Sequence, residues 1–195
     1  NVYVQPAAGD SGGAVGAALY GYHALLQQPR AFIMEHAYWG KQFSDEEIQQ
    51  AVTRQGLPTQ HFDQPDKLLR HTVERLVKGQ VVGWHQGRCE WGPRALGNRS
   101  ILADPRRTDM KAIVNRKIKF REPFRPFAPS MLSRSVDQFV DYPAGKGRSP
   151  TRFMLAVCPI RPDKRELIPA VTHVDGTGRL QAVDSQTNPL YYGLI

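Results

Sequence analysis

Small and apolar residues crowd the first stretch of the chain, where Ala14, Val15, Ala17, Ala18 and Leu19 follow the turn Gly9-Asp10-Ser11-Gly12-Gly13. This pattern predicts a small-residue helix that Asp10 or Ser11 caps and that ends near Gln27-Gln28, before Pro29. Residues 31–43 carry aromatics without a clear period and read as a linker. Ser44-Asp45-Glu46-Glu47 opens a second helix as a capping box, running to about Arg54, with Gly56 and Pro58 beyond it. A third helix is predicted from about Pro65, with Gly79 as its stop and Leu68, Leu69, Val73, Leu76 and Val77 on one apolar face.

After this helix the period shortens. Residues 81–84 read as a short buried strand, and residues 100–103, 127–132, 153–158 and 179–183 as further strands. Residues from Thr108 to about Lys117 read as a helix capped by Thr108, and residues 142–150 as a polar Gly/Pro loop. Helices alternating with short strands predict an α/β (α+β) fold, a twisted mixed sheet with flanking helices running from about Gly56 to the end. The helix before about Gln28 is expected outside that core.

Composition narrows the class. The 195 residues are 41% hydrophobic, which suffices for a core and argues against wholesale disorder. No apolar run approaches the roughly 20 residues of a membrane-spanning helix. The opening Asn1-Val2-Tyr3-Val4-Gln5-Pro6 has neither an initiator Met nor a signal pattern, and reads as the interior of a longer cytoplasmic chain. Cys89 and Cys158 lie far apart with no metal-ligand spacing and are expected as free thiols, with a disulfide or a reactive nucleophile as the alternatives.

The net charge of +8 asks for an acidic partner, and its placement is informative. Arginines crowd the segment Gly87-Arg88-Cys89-Glu90-Trp91-Gly92-Pro93-Arg94-Ala95-Leu96-Gly97-Asn98-Arg99-Ser100, on glycine-punctuated backbone whose amides could form an anion-binding nest. It is not a phosphate loop of the Walker type, because no Gly-Lys-Ser/Thr follows. Lys119-Phe120-Arg121-Glu122-Pro123-Phe124-Arg125-Pro126-Phe127-Ala128-Pro129 alternates cations and aromatics under proline control. His173-Val174-Asp175-Gly176-Thr177-Gly178-Arg179-Leu180-Gln181 is a turn leading into a strand. Rigid guanidinium forks in irregular backbone suit planar oxyanions. A basic nucleic-acid (RNA) binding module is the alternative, but it favours spread Lys and Arg rather than arginines fixed by Gly and Pro.

Together with Asp104-Pro105-Arg106, these three segments resemble the O-carbamoyltransferase family that modifies nodulation factors and antibiotics such as cephamycins and tobramycin. The resemblance runs in order from about Pro6 to Ile195. It implies a two-domain enzyme: an iron-binding N-terminal domain similar to Kae-type ASKHA ATPases, and a C-terminal domain similar to threonylcarbamoyl-adenylate synthases. The latter makes carbamoyl-adenylate from carbamoyl phosphate and ATP with Mg, and the former passes the carbamoyl group to a hydroxyl on a small-molecule acceptor. On this reading residues 1–28 end the ASKHA-type domain, 29–55 are a linker and connecting helix, and 56–195 are a truncated C-terminal domain. The family's paired histidines upstream and its Asn-Thr-Ser-Phe-Asn segment downstream lie outside this sequence.

The resemblance assigns Arg88, Arg94, Arg99, Lys119, Arg121, Arg125, His173, Thr177 and Arg179 to carbamoyl phosphate and ATP, with Arg94 and Arg121 catalytic. Asp10 matches one iron-ligand position of an incomplete site. Each assignment has a plainer alternative. Arg94 and Arg99 can bond loop carbonyls, and Lys119, Arg121 and Arg125 can form a solvated face pairing with Glu122. His173 and Asp175 can simply shape a turn, and Asp10 can cap a helix. Trp91 reads as core, with stacking on adenine as the alternative. The other histidines, from His23 to His85, show no ligand spacing.

Overall fold

A computed structural model describes residues 4–142 and 149–195, so most of the loop expected at 142–150 lies outside the described residues. Helix α1 (Asp10–Tyr20) runs on through a π-helical turn at Gly21–Leu25. Its N-cap is Gly9, and neither Asp10 nor Ser11 caps it with a side chain. Of the glycines here, Gly12 serves for close approach: a Cβ on it would collide with the Ala7 carbonyl. No residue of α1 is buried, as expected of a helix outside the core.

Helix α2 (Asp45–Gln55) has the capping box read from its sequence, with Glu47 N–H donating to Ser44 Oγ at 3.2 Å and Ser44 N–H to Glu47 Oε2 at 2.8 Å. Gly56, at φ 61°, closes it in the left-handed conformation. Helix α3 (Pro65–Val77) has Pro65 in its first turn. Its expected apolar face divides: Leu68 and Leu69 pack against Trp84, Val183, Tyr191 and Leu194, whereas Val73 and Val77 face solvent. A helix laid on a small core covers a narrower stripe than its apolar residues span.

The strands are shorter than the runs that predicted them, and they form three two-stranded sheets rather than one continuous sheet. β1 (Val82–His85) pairs antiparallel with β2 (Arg99–Leu102), Trp84 opposite Ser100. Helix α4 (Met110–Val114) continues into a π-helical turn at Asn115–Lys119; it starts from Asp109, without the Thr108 cap expected. β3 (Ser130–Leu132) runs parallel to β6 (Gln181–Val183), and β4 (Val157–Pro159) antiparallel to β5 (Thr177–Arg179). Short helices α5 (Val136–Phe139) and α6 (Ser149–Arg152) precede β4, and α7 (Pro189–Leu194) closes the described chain. Residues 153–156, expected in a strand, turn instead: Met154 takes φ 54°, and Phe153 and Met154 sink into the core.

Mixed helix and strand, with parallel and antiparallel pairs, make this an α/β (α+β) fold. Its main core gathers Met131, Val136, Val140, Cys158, Ile160, Ile168, Val171 and Leu180. Each large side chain removed from water there contributes about 1.5–3 kcal/mol. A second cluster joins Ala37 to Leu96, Phe153 and Met154, so the aromatic segment before α2 packs against the arginine-rich loop. Both cysteines are free thiols, and burial pushes the Cys158 thiol up. No helix among the described residues is long and apolar enough to cross a membrane.

Candidate functional site

The loop joining β1 to β2 carries the arginine-rich segment, and it is folded around Glu90. The Glu90 side chain is wholly buried. Its Oε1 accepts from the backbone N–H of Leu96 at 2.6 Å, Asn98 at 2.8 Å and Arg99 at 3.1 Å, and its Oε2 from Arg99 Nε at 2.9 Å. Burial alone raises this carboxyl, but the amides of Leu96 and Asn98 and the Arg99 guanidinium outweigh it, so it sits below the usual range. The loop amides expected to form an anion-binding nest therefore point inward at a carboxylate of the protein itself. Arg99 also donates to the Glu90 carbonyl at 3.1 Å, which makes it the clasp of the loop. Gly97, at φ 106°, lies so close to the Tyr191 ring that a Cβ would overlap it.

A polar network pins this loop to the end of the chain. Asn188 Nδ2 donates to Asn98 Oδ1 at 2.9 Å and to the Tyr38 hydroxyl at 3.0 Å, and Gln86 Nε2 donates to Asn188 Oδ1 at 2.6 Å. Gln181 Nε2 donates to the Leu96 carbonyl at 2.7 Å, while Ser130 Oγ donates to Gln181 Oε1 at 3.0 Å. These buried and half-buried groups hold one another in place.

The second basic segment is organised by Asn115, which is 1% exposed. Its amide donates to the carbonyls of Pro123 at 3.3 Å and Arg125 at 3.0 Å, and its oxygen accepts from Arg121 Nε at 2.7 Å. Arg121 also lies over the Phe127 ring, 4.7 Å from its centroid. The guanidinium is thereby fixed in direction, and its charge also acts on the neighbouring Glu122 carboxylate. Arg125 instead pairs with Glu122 at 2.7 Å, both half exposed, and Lys119 lies exposed on the π-helical turn. Arg88 is exposed too, and its carbonyl accepts from Asn98 Nδ2 at 2.7 Å.

Arg179 is where the segments meet. Its Nε is buried and has no hydrogen-bond partner among the described residues. Burial is the main cause that pushes its guanidinium down from the usual value, and the positive charges of Arg94 and Arg121 add to it. Arg94 from the β1–β2 loop, Arg121 from the turn after α4 and Arg179 from β5 thus share one electrostatic neighbourhood. Like charges gathered beside a buried donor are costly to the folded state, and an anion offsets that cost.

Thr177 and Arg179 lie two residues apart on β5 and so share a face. The Thr177 hydroxyl donates to Asp175 Oδ1 at 2.7 Å, and His173 Nδ1 stands 3.2 Å from Thr177 Oγ1. The Thr177 hydroxyl is the first cause that holds the Asp175 carboxyl low, followed by the Thr177 backbone amide and the charge of His173. His173 Nε2 is the other buried polar atom without a partner. Asp10 is exposed at the start of α1, and the described residues contain no group of three or more His, Cys, Asp or Glu that could hold a metal. Trp91 stacks on Trp39, ring centroids 5.5 Å apart.

Of the nine binding residues inferred from sequence, Arg94 and Arg121 act on Arg179 through their charge; Thr177 lies on β5 with Arg179, and His173 contacts Thr177; Arg99 and Arg125 are engaged with carboxylates; Arg88 and Lys119 are exposed. Glu90, Asn98, Asn115, Gln181 and Asn188, which position the others, were not inferred. Glu90 lies within the arginine-rich segment itself, so its acidic charge among fixed cations was the available signal. The amides carried none, because Asn and Gln serve as readily in exposed turns.

Residues 73–195 match the family described as Carbamoyltransferase C-terminus. The whole chain is similar to an uncharacterised protein of Synechocystis, 40% identical over 220 residues, or 35% of that protein. It is also similar to nodulation protein NolNO of Sinorhizobium fredii, 43% identical over 196 residues and 28% of that protein. A third relative is 3'-hydroxymethylcephem-O-carbamoyltransferase of Streptomyces clavuligerus, 31% identical over 199 residues and 34% of its length. The chain thus spans about a third of the length of the relatives it matches. A glycine- and arginine-rich loop built on a buried glutamate, and a family match over most of the chain, place this protein in the carbamoyltransferase family, as its C-terminal region.

Proposed function

We propose that this chain is the adenylate-forming part of an ATP-dependent O-carbamoyltransferase. It binds carbamoyl phosphate and ATP and makes carbamoyl-adenylate for transfer to an acceptor hydroxyl. The observation that carries this reading is the buried Arg179 Nε without a hydrogen-bond partner among the described residues, on which the positive charges of Arg94 and Arg121 act with no carboxylate beside them. In the reaction, water splits carbamoyl phosphate into carbamate and phosphate, and a carbamate oxygen displaces pyrophosphate from the α-phosphorus of ATP. Crowded anions repel unless cations orient and neutralise them, and negative charge is what the transition state must spread. Arg121, fixed by Asn115 and Phe127, supplies a rigid fork for that purpose, and Arg94, on the Glu90 loop, a second guanidinium. Mg accompanies ATP and neutralises phosphate charge.

Residues 1–28 on this reading end an ASKHA-type domain, 29–55 connect, and 56–195 form the carbamoyl-adenylate domain, working in the cytoplasm. Iron belongs to the upstream domain, towards which Asp10 contributes one carboxylate. The cephem relative, whose name gives a 3'-hydroxymethylcephem as the group carbamoylated, supports a hydroxyl-bearing small molecule as acceptor.

The test uses the full-length enzyme. Arg94→Ala and Arg121→Ala are each expected to lower carbamoyl-phosphate-dependent pyrophosphate release by about 10²–10³-fold. Arg→Lys at either position fails substantially too, since a point charge does not replace the fork. Preformed carbamoyl-adenylate restores transfer in the variants. Pyrophosphate release at the wild-type rate in both alanine variants overturns the reading.

A further inference from the structure

Among residues 4–36 only Pro6 and Ala7 are buried, Ala7 at 2% exposure, and no residue of α1 is. These two sit against Gly92, inside the arginine-rich loop. A Cβ placed on Gly92 would stand 3.1 Å from Ala7 Cβ and 3.6 Å from the Pro6 carbonyl oxygen. Gly92 also takes φ 108°, a conformation that residues with side chains rarely adopt. Ala7 is in turn tied to the helix that follows it. Its N–H donates to Gln5 Oε1 at 2.6 Å, the Ala8 N–H donates to the Gln5 carbonyl at 3.1 Å, and the Ala7 carbonyl lies against Gly12. The N-terminal segment therefore has one buried foothold, and it stands on the arginine loop.

On the loop side, residues 92–95 form an arch with fixed feet. Trp91 N–H donates to the Ala37 carbonyl at 2.6 Å, and Leu96 N–H to Glu90 Oε1 at 2.6 Å. Between these feet Pro93 and Ala95 are exposed and Arg94 is half-buried. Proline locks its φ at about −65°, so Pro93 leaves one torsion fewer to absorb a change at Gly92 before it reaches Arg94. We propose that Ala7 and Gly92 are positioning residues, a joint through which the N-terminal segment sets where the arch presents Arg94. The inference rests on the anion-binding role given to Arg94 above, and deepens it with a regulatory contact. On the domain division proposed above, Ala7 and Gly92 belong to different domains. A change in the orientation of α1 then reaches the arginine loop through one alanine. Linkage makes the effect reciprocal: an anion held by Arg94 steadies Ala7 and the start of α1 in return.

The test is a double-mutant cycle in the full-length enzyme, read as kcat/KM for carbamoyl phosphate in pyrophosphate release. Ala7→Leu, which crowds Gly92, is expected to lower it by about 10- to 100-fold, the scale of a small misplacement of a binding group. Ala7→Gly, which empties the contact without adding bulk, lowers it less and carries the test if the leucine variant does not fold. In an Arg94→Ala background neither change at Ala7 should lower the rate further, because its route runs through Arg94. An alanine that merely supports the fold gives losses that add. A second measurement leaves Ala7 untouched: carbamoyl phosphate should slow amide exchange over residues 5–13 in the wild type and not in Arg94→Ala. Unchanged rates in both Ala7 variants, losses that add to that of Arg94→Ala, or exchange over residues 5–13 that ignores the ligand each overturn the proposal. Wild-type rates in Arg94→Ala itself sink the arginine reading, and the joint with it.

Discussion

Glu90 carries more of the site's architecture than any arginine around it. Three backbone amides and one guanidinium converge on a side chain from which water is excluded. Glu90→Gln turns one of its oxygens into a donor facing donors, and removes the charge that Arg99 answers. We expect a loss of about 3 kcal/mol in urea unfolding, the usual scale for breaking a buried pair on one side. The pH dependence has a definite sign. The folded-state carboxyl titrates below its unfolded value, so across the window between them the unfolded chain binds more protons. Stability from Glu90 is complete above the usual glutamate range, near pH 4.3, and is lost as pH falls through the depressed folded value. Acid titration of wild type against Glu90→Gln should show this part of the slope missing in the variant.

Among the elements, α2 and the π-helical turn after α4 make opposite cases. The α2 capping box was legible in four letters, because a cap is local chemistry between residues three apart. Yet α2 buries nothing, so its cap cannot matter much to global unfolding. Ser44→Ala should speed amide exchange across residues 45–55, by the factor that about 1 kcal/mol allows, while the urea midpoint barely moves. The turn at Asn115–Lys119 was not legible. Its sequence fits an ordinary helix end, and Asn115 at its start holds the carbonyls of Pro123 and Arg125, eight and ten residues on. The turn ends on Phe120 at φ 48°, a left-handed conformation that costs a side-chain-bearing residue about 1–2 kcal/mol. Phe120 is largely exposed, so Phe120→Gly relieves the backbone at little packing cost, whereas β-branched Phe120→Val aggravates it. Chemical denaturation should rank the valine variant below the glycine variant.

Across the whole molecule, the net charge of +8 is not evenly spent. Arg99, Arg106, Arg107 and Arg125 each meet a carboxylate within 3 Å, while Arg179 meets burial and two other arginines. A gathering of cations that weakens the fold is a site prepared for an anion. Arg179→Met should therefore leave the protein as stable as wild type, or more so, in chloride buffer. Inorganic phosphate should raise the wild-type melting temperature with a gain of about 2.7 kcal/mol at a hundred times its dissociation constant, and the variant should lose this response. Binding that saturated at one phosphate would separate such a site from a nucleic-acid face, whose affinity falls steeply with salt along many contacts.

What the sequence by itself determined was whatever depends on neighbours along the chain. The helix of residues 45–55 and its cap, the proline start of α3, the turn glycines and the positions of β1 and β2 follow from local propensity and period. So does the family, since its motifs are contiguous strings. The tertiary structure decided which cations are free. Arg99 and Arg94 stand five residues apart in the same motif, but one is locked to Glu90 while the charge of the other acts on Arg179. It also decided that the strands form three separate pairs, and that Ala37 belongs to the packed loop region. The reason is range. A cap or a turn is settled within four residues, whereas Gln181 reaches Leu96 across 85 positions, and Asn188 reaches Tyr38 across 150. Such pairings depend on how the whole chain packs, and packing is the one quantity that no local pattern encodes.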